Sequence, residues 1–201
     1  MSRDTAELLK GRRTVRRFRD ETVGGSAVKA ILEAGTWAPS AHNAQPWRFA
    51  VVVSQARKGE LVRRMGEKWR ADLERDGVSE CQIESLLDEA KTTMMSAPVL
   101  IVVCVTMEDM DVYQDDVRNR AEWVMAVQSA AACIENMLLM THALKLGACW
   151  NCGPLFAPDE AKGALGLNSN WQPTAMIAIG FPAESPEAPQ RKTSDEVSIW
   201  I

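Results

Sequence analysis

The chain has 201 residues, 46% of them apolar and 25% charged, with 23 Lys+Arg against 27 Asp+Glu and a formal net charge of −4. This length predicts one domain over residues 1–201, able to bury a core without disulfide staples, and the slightly acidic balance excludes a broad basic face for nucleic acid. The longest apolar run, residues 97–105, contains a proline and falls far short of the ~20 residues of a membrane helix; residues 1–13 alternate charges without the hydrophobic region of a secretion signal, so a cytoplasmic protein is expected.

In chain order, a first helix is predicted over residues 5–10, ending near Gly11 ahead of a basic run. Ser26 reads as the N-cap of a second helix carrying Val28, Ile31, Leu32 and Ala34 on one stripe. That helix must stop before Pro39, because the residue ahead of a proline disfavours the helical region. A polar loop, residues 40–46, feeds a strand over residues 47–53. Two charged helices follow, residues 57–75 and 79–95, divided at Asp76-Gly77, and residues 98–105 read as a buried strand. The longest helical pattern covers residues 121–144, with a row of Val124, Val127, Ala131, Ile134, Met137 and Leu138. A helix apolar on several sides is expected at a domain centre or in a dimer interface. Gly147 is read as the stop of that helix, residues 148–151 as a short strand, Pro158 as the start of another helix, and residues 174–181 as a last strand. The tail over residues 182–193 is expected to be extended, and the layout is an α+β domain.

The five cysteines, Cys81, Cys104, Cys133, Cys149 and Cys152, make no disulfide framework in such a chain. His42 and His142 lie a hundred residues apart and no second Cys-x-x-Cys is present, so no metal site is expected. A Gly-x-Ser-x-Gly nucleophile elbow is also missing.

Three segments carry chemistry. Arg12, Arg13, Arg16 and Arg17 surround the hydroxyl of Thr14 and suit a phosphate, although the run reads equally as a solvated turn. Residues 38–47, Ala-Pro-Ser-Ala-His-Asn-Ala-Gln-Pro-Trp, set small and amide side chains between two prolines. They fit the edge of a flat heterocycle or an ordinary helix-to-strand connection. Cys149-Trp150-Asn151-Cys152-Gly153-Pro154 holds a C-x-x-C, but in a strand-to-loop context unlike a thioredoxin helix. It is better suited to offering backbone N–H groups in a glycine turn. Trp69, Trp123 and Trp171 are structural or line a flat pocket.

In this order, Arg12-Arg13-Thr14-Val15-Arg16-Arg17-Phe18, the unbroken Ala38 to Trp47 motif, the Trp150 to Pro154 turn and the basic Arg191-Lys192 resemble the nitroreductase family of flavin mononucleotide (FMN) oxidoreductases. Residues 64–73, Cys149-Trp150, Trp171-Gln172-Pro173 and residues 178–180 are similar to the reductase domain of bacterial deazaflavin-coenzyme γ-glutamyl ligases, whose ligase portion has no counterpart in these residues. The family resemblance implies a central mixed or antiparallel sheet flanked by helices, an intertwined homodimer, and FMN at two interface sites. Carried over, Arg12, Arg13, Thr14 and Arg16 would hold the FMN phosphate and pyrimidine edge, with Lys68 a further candidate. Pro39, Ser40, Ala41 and Asn43 would reach the flavin from the other subunit, Cys152 and Gly153 would face its reactive nitrogen through backbone N–H groups, and Arg191 would close on the phosphate. The implied activity passes a hydride from NADH or NADPH through FMN to a small conjugated electrophile by ping-pong kinetics, with no acid–base side chain required. Reduction of a deazaflavin-coenzyme precursor and flavin binding without turnover are the alternatives.

Overall fold

Valine and isoleucine crowd residues 99–105, and this run forms the strand at the centre of the molecule. The structure, a computed structural model, describes residues 3–201. Four strands, β1 (Trp47–Val52), β2 (Val99–Val105), β3 (Gly147–Asn151) and β4 (Gln172–Gly180), pair in the order β1-β2-β4-β3, every pairing antiparallel. The helices are α1 (Arg3–Gly11), α2 (Gly25–Thr36), α3 (Gln55–Arg75), α4 (Glu80–Ser96), α5 (Asp116–Ala143), α6 (Gly153–Phe156), α7 (Pro158–Leu165) and α8 (Ser194–Val197), with a 3₁₀ turn at Ala41–Asn43.

Strand alternation divides the core in two. Val99, Ile101 and Val103 join Ile177 and Ile179 against Ile31 of α2 and Cys133, Ile134 and Met137 of α5. Leu100, Val102 and Cys104 join Met176 and Cys149 against Leu61 of α3, Met94 of α4 and Ala161 of α7. Burial on both faces is why β2 reads as an unbroken apolar run, and each such side chain contributes roughly 1.5–3 kcal/mol. Helix α5 is long and apolar enough to cross a membrane by length and composition, yet its buried stripe is packed on α2 and the sheet.

Several boundaries differ from expectation. Helix α2 starts at Gly25 with Gly24 as N-cap, so Ser26 lies inside the first turn and caps nothing. Helix α5 starts at Asp116 rather than Ala121, because the Asp115 carboxylate accepts a hydrogen bond from the Arg118 N–H at 2.9 Å. Of its expected row, Ile134, Met137 and Leu138 are buried, but Val124, Val127 and Ala131 sit on the other side, Val124 45% exposed. The inward positions are Glu122, Ala126, Ser129, Ala130 and Cys133 instead. Gly147 opens β3 rather than only ending α5, the reversal being made by Lys145 at φ 63°. The one-turn helices α6 and α8 were not anticipated; α8 is fixed by a capping box between Thr193 and Glu196.

Candidate active site

The basic run lies along the outer edge of β3. Thr14 pairs in parallel with Ala148, and the Val15 N–H donates to the Ala148 carbonyl at 2.9 Å. Val15 and Phe18 are buried, which turns Arg16 and Arg17 outward. Glu184 fastens the segment, its Oε1 accepting from the Arg16 N–H at 2.6 Å and the Arg17 N–H at 3.2 Å.

At the start of β3 is a cavity of about 240 Å³ lined by Arg12, Arg13, His142, Lys145 and Gly147 among others. The His142 imidazolium is held below its ordinary range, first by burial and then by Lys145, Arg12 and Arg13. Arg12 Nε is buried without a hydrogen bond, 3.4 Å from Glu135 Oε1. Arg13, which lines the same cavity, has its Nη1 donating to the carbonyls of Lys10 (2.6 Å) and Arg12 (2.8 Å), closing the end of α1.

At the far end of β3 a cavity of about 470 Å³ opens between α3, α4 and the turn into α6, lined by Met65, Lys68, Trp69, Met94, Asn151, Cys152 and Gly153 among others. Arg70 holds its two helical walls together by pairing with Glu80 and Glu84 of α4. Lys68 Nζ is hydrogen-bonded to Asp72, whose carboxyl it holds below the usual range. A Cβ on Gly153 would stand 2.8 Å from Asn151 Oδ1 and 2.9 Å from Met65 Cε, so a larger residue here would displace the ends of both side chains. The Gly153 N–H is not free toward the cavity, as it was expected to be, because it donates to Asn151 Oδ1 at 2.7 Å. The C-x-x-C does not form a dithiol pair: both thiols are free, Cys152 is exposed, and Cys149 is buried in the core with its pKa pushed up by burial.

The Pro39–Asn43 segment packs elsewhere. The Ala41 N–H donates to Ser129 Oγ of α5 at 3.2 Å, and Ser40 Oγ accepts from the Gln45 N–H at 3.1 Å. His42, Asn43 and Gln45 have φ of 55°, 55° and 47°, an unusual cluster of left-handed residues without glycine. The fold thus brings Arg12 and Arg13 to one cavity and Lys68, Cys152 and Gly153 to the other, while Thr14 and Arg16 lie on the segment that follows Arg13 past Ala148 toward Pro182 and line neither. Pro39, Ser40, Ala41, Asn43 and the exposed Arg191 line neither. Sequence reasoning missed His142, Lys145 and Asn151. Basic residues closing a long helix were a readable signal, but nothing local places His142 beside Arg12.

The sequence profile of the nitroreductase family matches residues 9–181, and the chain belongs to that family. It is 28% identical to an NADH dehydrogenase of Thermus thermophilus, over 94% of this chain and 92% of the relative. It is 27% identical to YfhC of Bacillus subtilis, assigned as an NAD(P)H nitroreductase, over 92% of this chain and 88% of the relative. Among solved structures, a Desulfovibrio desulfuricans protein assigned as a nitroreductase, in complex with FMN, superposes with a TM-score of 0.77 at 28% identity, covering 100% of this chain and 98% of its own.

Proposed function

We propose that this chain is a cytoplasmic, homodimeric, FMN-dependent oxidoreductase that passes a hydride from NADH or NADPH to a conjugated electrophile such as a nitroaromatic or quinone. The observation that carries the reading is the pair of cavities at the two ends of β3, one lined by Arg12, Arg13, His142 and Lys145 with Glu184 as its one acid, the other largely apolar. They fit FMN in chemistry: the underused Arg12 guanidinium suits a phosphate, and a cavity walled by Trp69, Met65 and a glycine suits a flat ring. The FMN-bound relative, alike over the whole chain, supports the same cofactor.

FMN, when bound, supplies the two-electron chemistry, and the protein supplies orientation and electrostatics. Arg12, His142 and Lys145, which line one cavity, would hold the phosphate by charge-assisted hydrogen bonds. Arg13 positions this group by closing α1. Arg16 and Lys68 put positive charge at the pyrimidine edge, with Asp72 orienting the Lys68 amine. Thr14 fixes the segment at Ala148. Cys152 and Gly153 would wall the ring at its reactive edge, and the Gly153 N–H would serve it if the hydrogen bond to Asn151 Oδ1 were released. Met65 and Trp69 exclude water. Pro39, Ser40, Ala41 and Asn43, which line neither cavity of their own chain, reach the ring in the other subunit, and Arg191 closes from the tail. Reductant and acceptor use the same cavity in turn, giving ping-pong kinetics.

The test is the visible spectrum of the purified protein before and after anaerobic NADH or NADPH. A yellow protein that bleaches is the expected result, with parallel initial-rate plots. A yellow protein that stays oxidised would defeat the NAD(P)H step and favour reduced deazaflavin as donor, or storage. A colourless protein that takes up no FMN would overturn the reading.

A further inference from the structure

A second constellation lies outside both cavities. His42 Nε2 is 3.6 Å from Glu122 Oε1 of α5 and 3.9 Å from Asp111 Oδ2, and one donor atom from each of the three residues lies within 4.8 Å of the others. Glu122 is only 3% exposed, and its Oε2 has no hydrogen-bond partner. Among the described residues no lysine or arginine pairs with Glu122 or Asp111; the Tyr113 hydroxyl, 3.5 Å from Asp111 Oδ2, is the neighbour on the outer side. A buried ionised carboxylate with an unmet oxygen costs several kcal/mol, a cost relieved by taking up a proton or by an approaching cation.

We propose that His42, Asp111 and Glu122 bind a divalent transition-metal ion of the zinc type. An ion about 2.0–2.2 Å from each donor in a tetrahedral array sets the donors roughly 3.4 Å apart. The His42 separations of 3.6 and 3.9 Å lie within about half an ångström of that spacing, while the Asp111 and Glu122 donors, within 4.8 Å of each other, have further to close. One imidazole nitrogen with two carboxylates favours zinc, cobalt or manganese over magnesium and calcium, which take all-oxygen sets. In the single chain His42 and Asp111 are exposed, and water completes the coordination. Bound there, the ion ties the Ala41–Asn43 turn to α5 and to the loop before it.

The test is calorimetric titration of chelator-dialysed protein, with or without flavin, with zinc chloride near neutral pH. One zinc per chain is expected, with binding unchanged in Asp159→Asn and in a Cys81→Ser, Cys152→Ser double variant. His42→Ala and Glu122→Gln are each expected to weaken binding at least about tenfold, by analogy with the loss seen when even a supporting metal-site group is removed. Circular dichroism checks that both variants fold, and His42→Ala, altered at an exposed side chain, decides the matter should Glu122→Gln not fold. Absence of zinc uptake overturns the proposal. Uptake undiminished in both variants does the same.

Discussion

His142 shares its cavity with Arg12, Arg13 and Lys145, and its depressed pKa makes it a reporter of what fills that space. With the folded value lowered, the unfolded chain takes up the proton first as pH falls below about 6.5, so this residue costs stability between its ordinary and its folded value and no further below. A phosphate dianion reverses the local field. Proton NMR of flavin-free protein, with His142→Gln for assignment, is expected to give a His142 midpoint below 6.5 that rises when FMN is added; an unmoved midpoint would put the phosphate elsewhere. The two neighbouring arginines divide by their hydrogen bonds. Arg12→Ala removes donors left for a ligand and is expected to weaken FMN binding about tenfold or more, read by flavin fluorescence. Arg13→Ala is expected chiefly to lower the melting temperature, because that guanidinium is engaged with the end of α1. The cysteines sort by burial in the same manner. Cys104 and Cys133, their pKa values pushed up to about 12 by burial, and buried Cys149 should resist iodoacetamide in the native protein, whereas exposed Cys81 and Cys152 should be alkylated, as mass spectrometry would show.

At the scale of elements, the contact of α2 with α5 is governed by Gly35. A Cβ there would meet Met137 Cγ at 2.8 Å and Cys133 Sγ at 2.9 Å. Alanine gains up to about 1 kcal/mol of helix propensity, but overpacking a full core costs roughly 1–3 kcal/mol. Gly35→Ala is therefore expected to be destabilising in urea unfolding, whereas Gly25→Ala, with nothing within 4 Å, should be neutral or stabilising. The elements that sequence made legible are those whose environment is uniform along their length. Strand β2 is buried on both faces and reads as one apolar run, and the break between α3 and α4 falls at Gly77, φ 75°. Helices α6 and α8, at four residues each, are too short for any periodicity to mark. The faces of α5 were misjudged because apolar side chains lie all round it, so spacing alone cannot say which stripe the sheet takes. The candidate site divides similarly. Its motifs at Arg12 to Phe18, Ala38 to Trp47 and Cys152-Gly153 are local and were readable, whereas His142 beside Arg12, or Glu122 beside His42, exists only once the chain has folded.

For the whole molecule, the apolar surface left open by one chain is considerable: Val124 on α5, Trp37 after α2 (80% exposed), Phe156 beside the larger cavity and Trp200 in the tail (93% exposed). Where such side chains are contiguous they mark an interaction surface, and the Pro39–Asn43 segment lines neither of the two cavities at the ends of β3. The homodimer proposed above would account for both by burying the outward face of α5 and sharing its sites. Val124→Glu separates the possibilities. In an isolated chain a substitution at a 45%-exposed position changes stability by only about 0.5 kcal/mol, so the far-ultraviolet circular dichroism should survive. In a packed interface the same carboxylate would be buried unpaired, at a cost of several kcal/mol. Sedimentation velocity is expected to show the parent as a dimer and Val124→Glu as a monomer that has also lost its flavin. A dimer that persists with flavin bound would remove this face of α5 from the interface. Monomers that keep their flavin would mean that one chain's two cavities are sufficient to hold it.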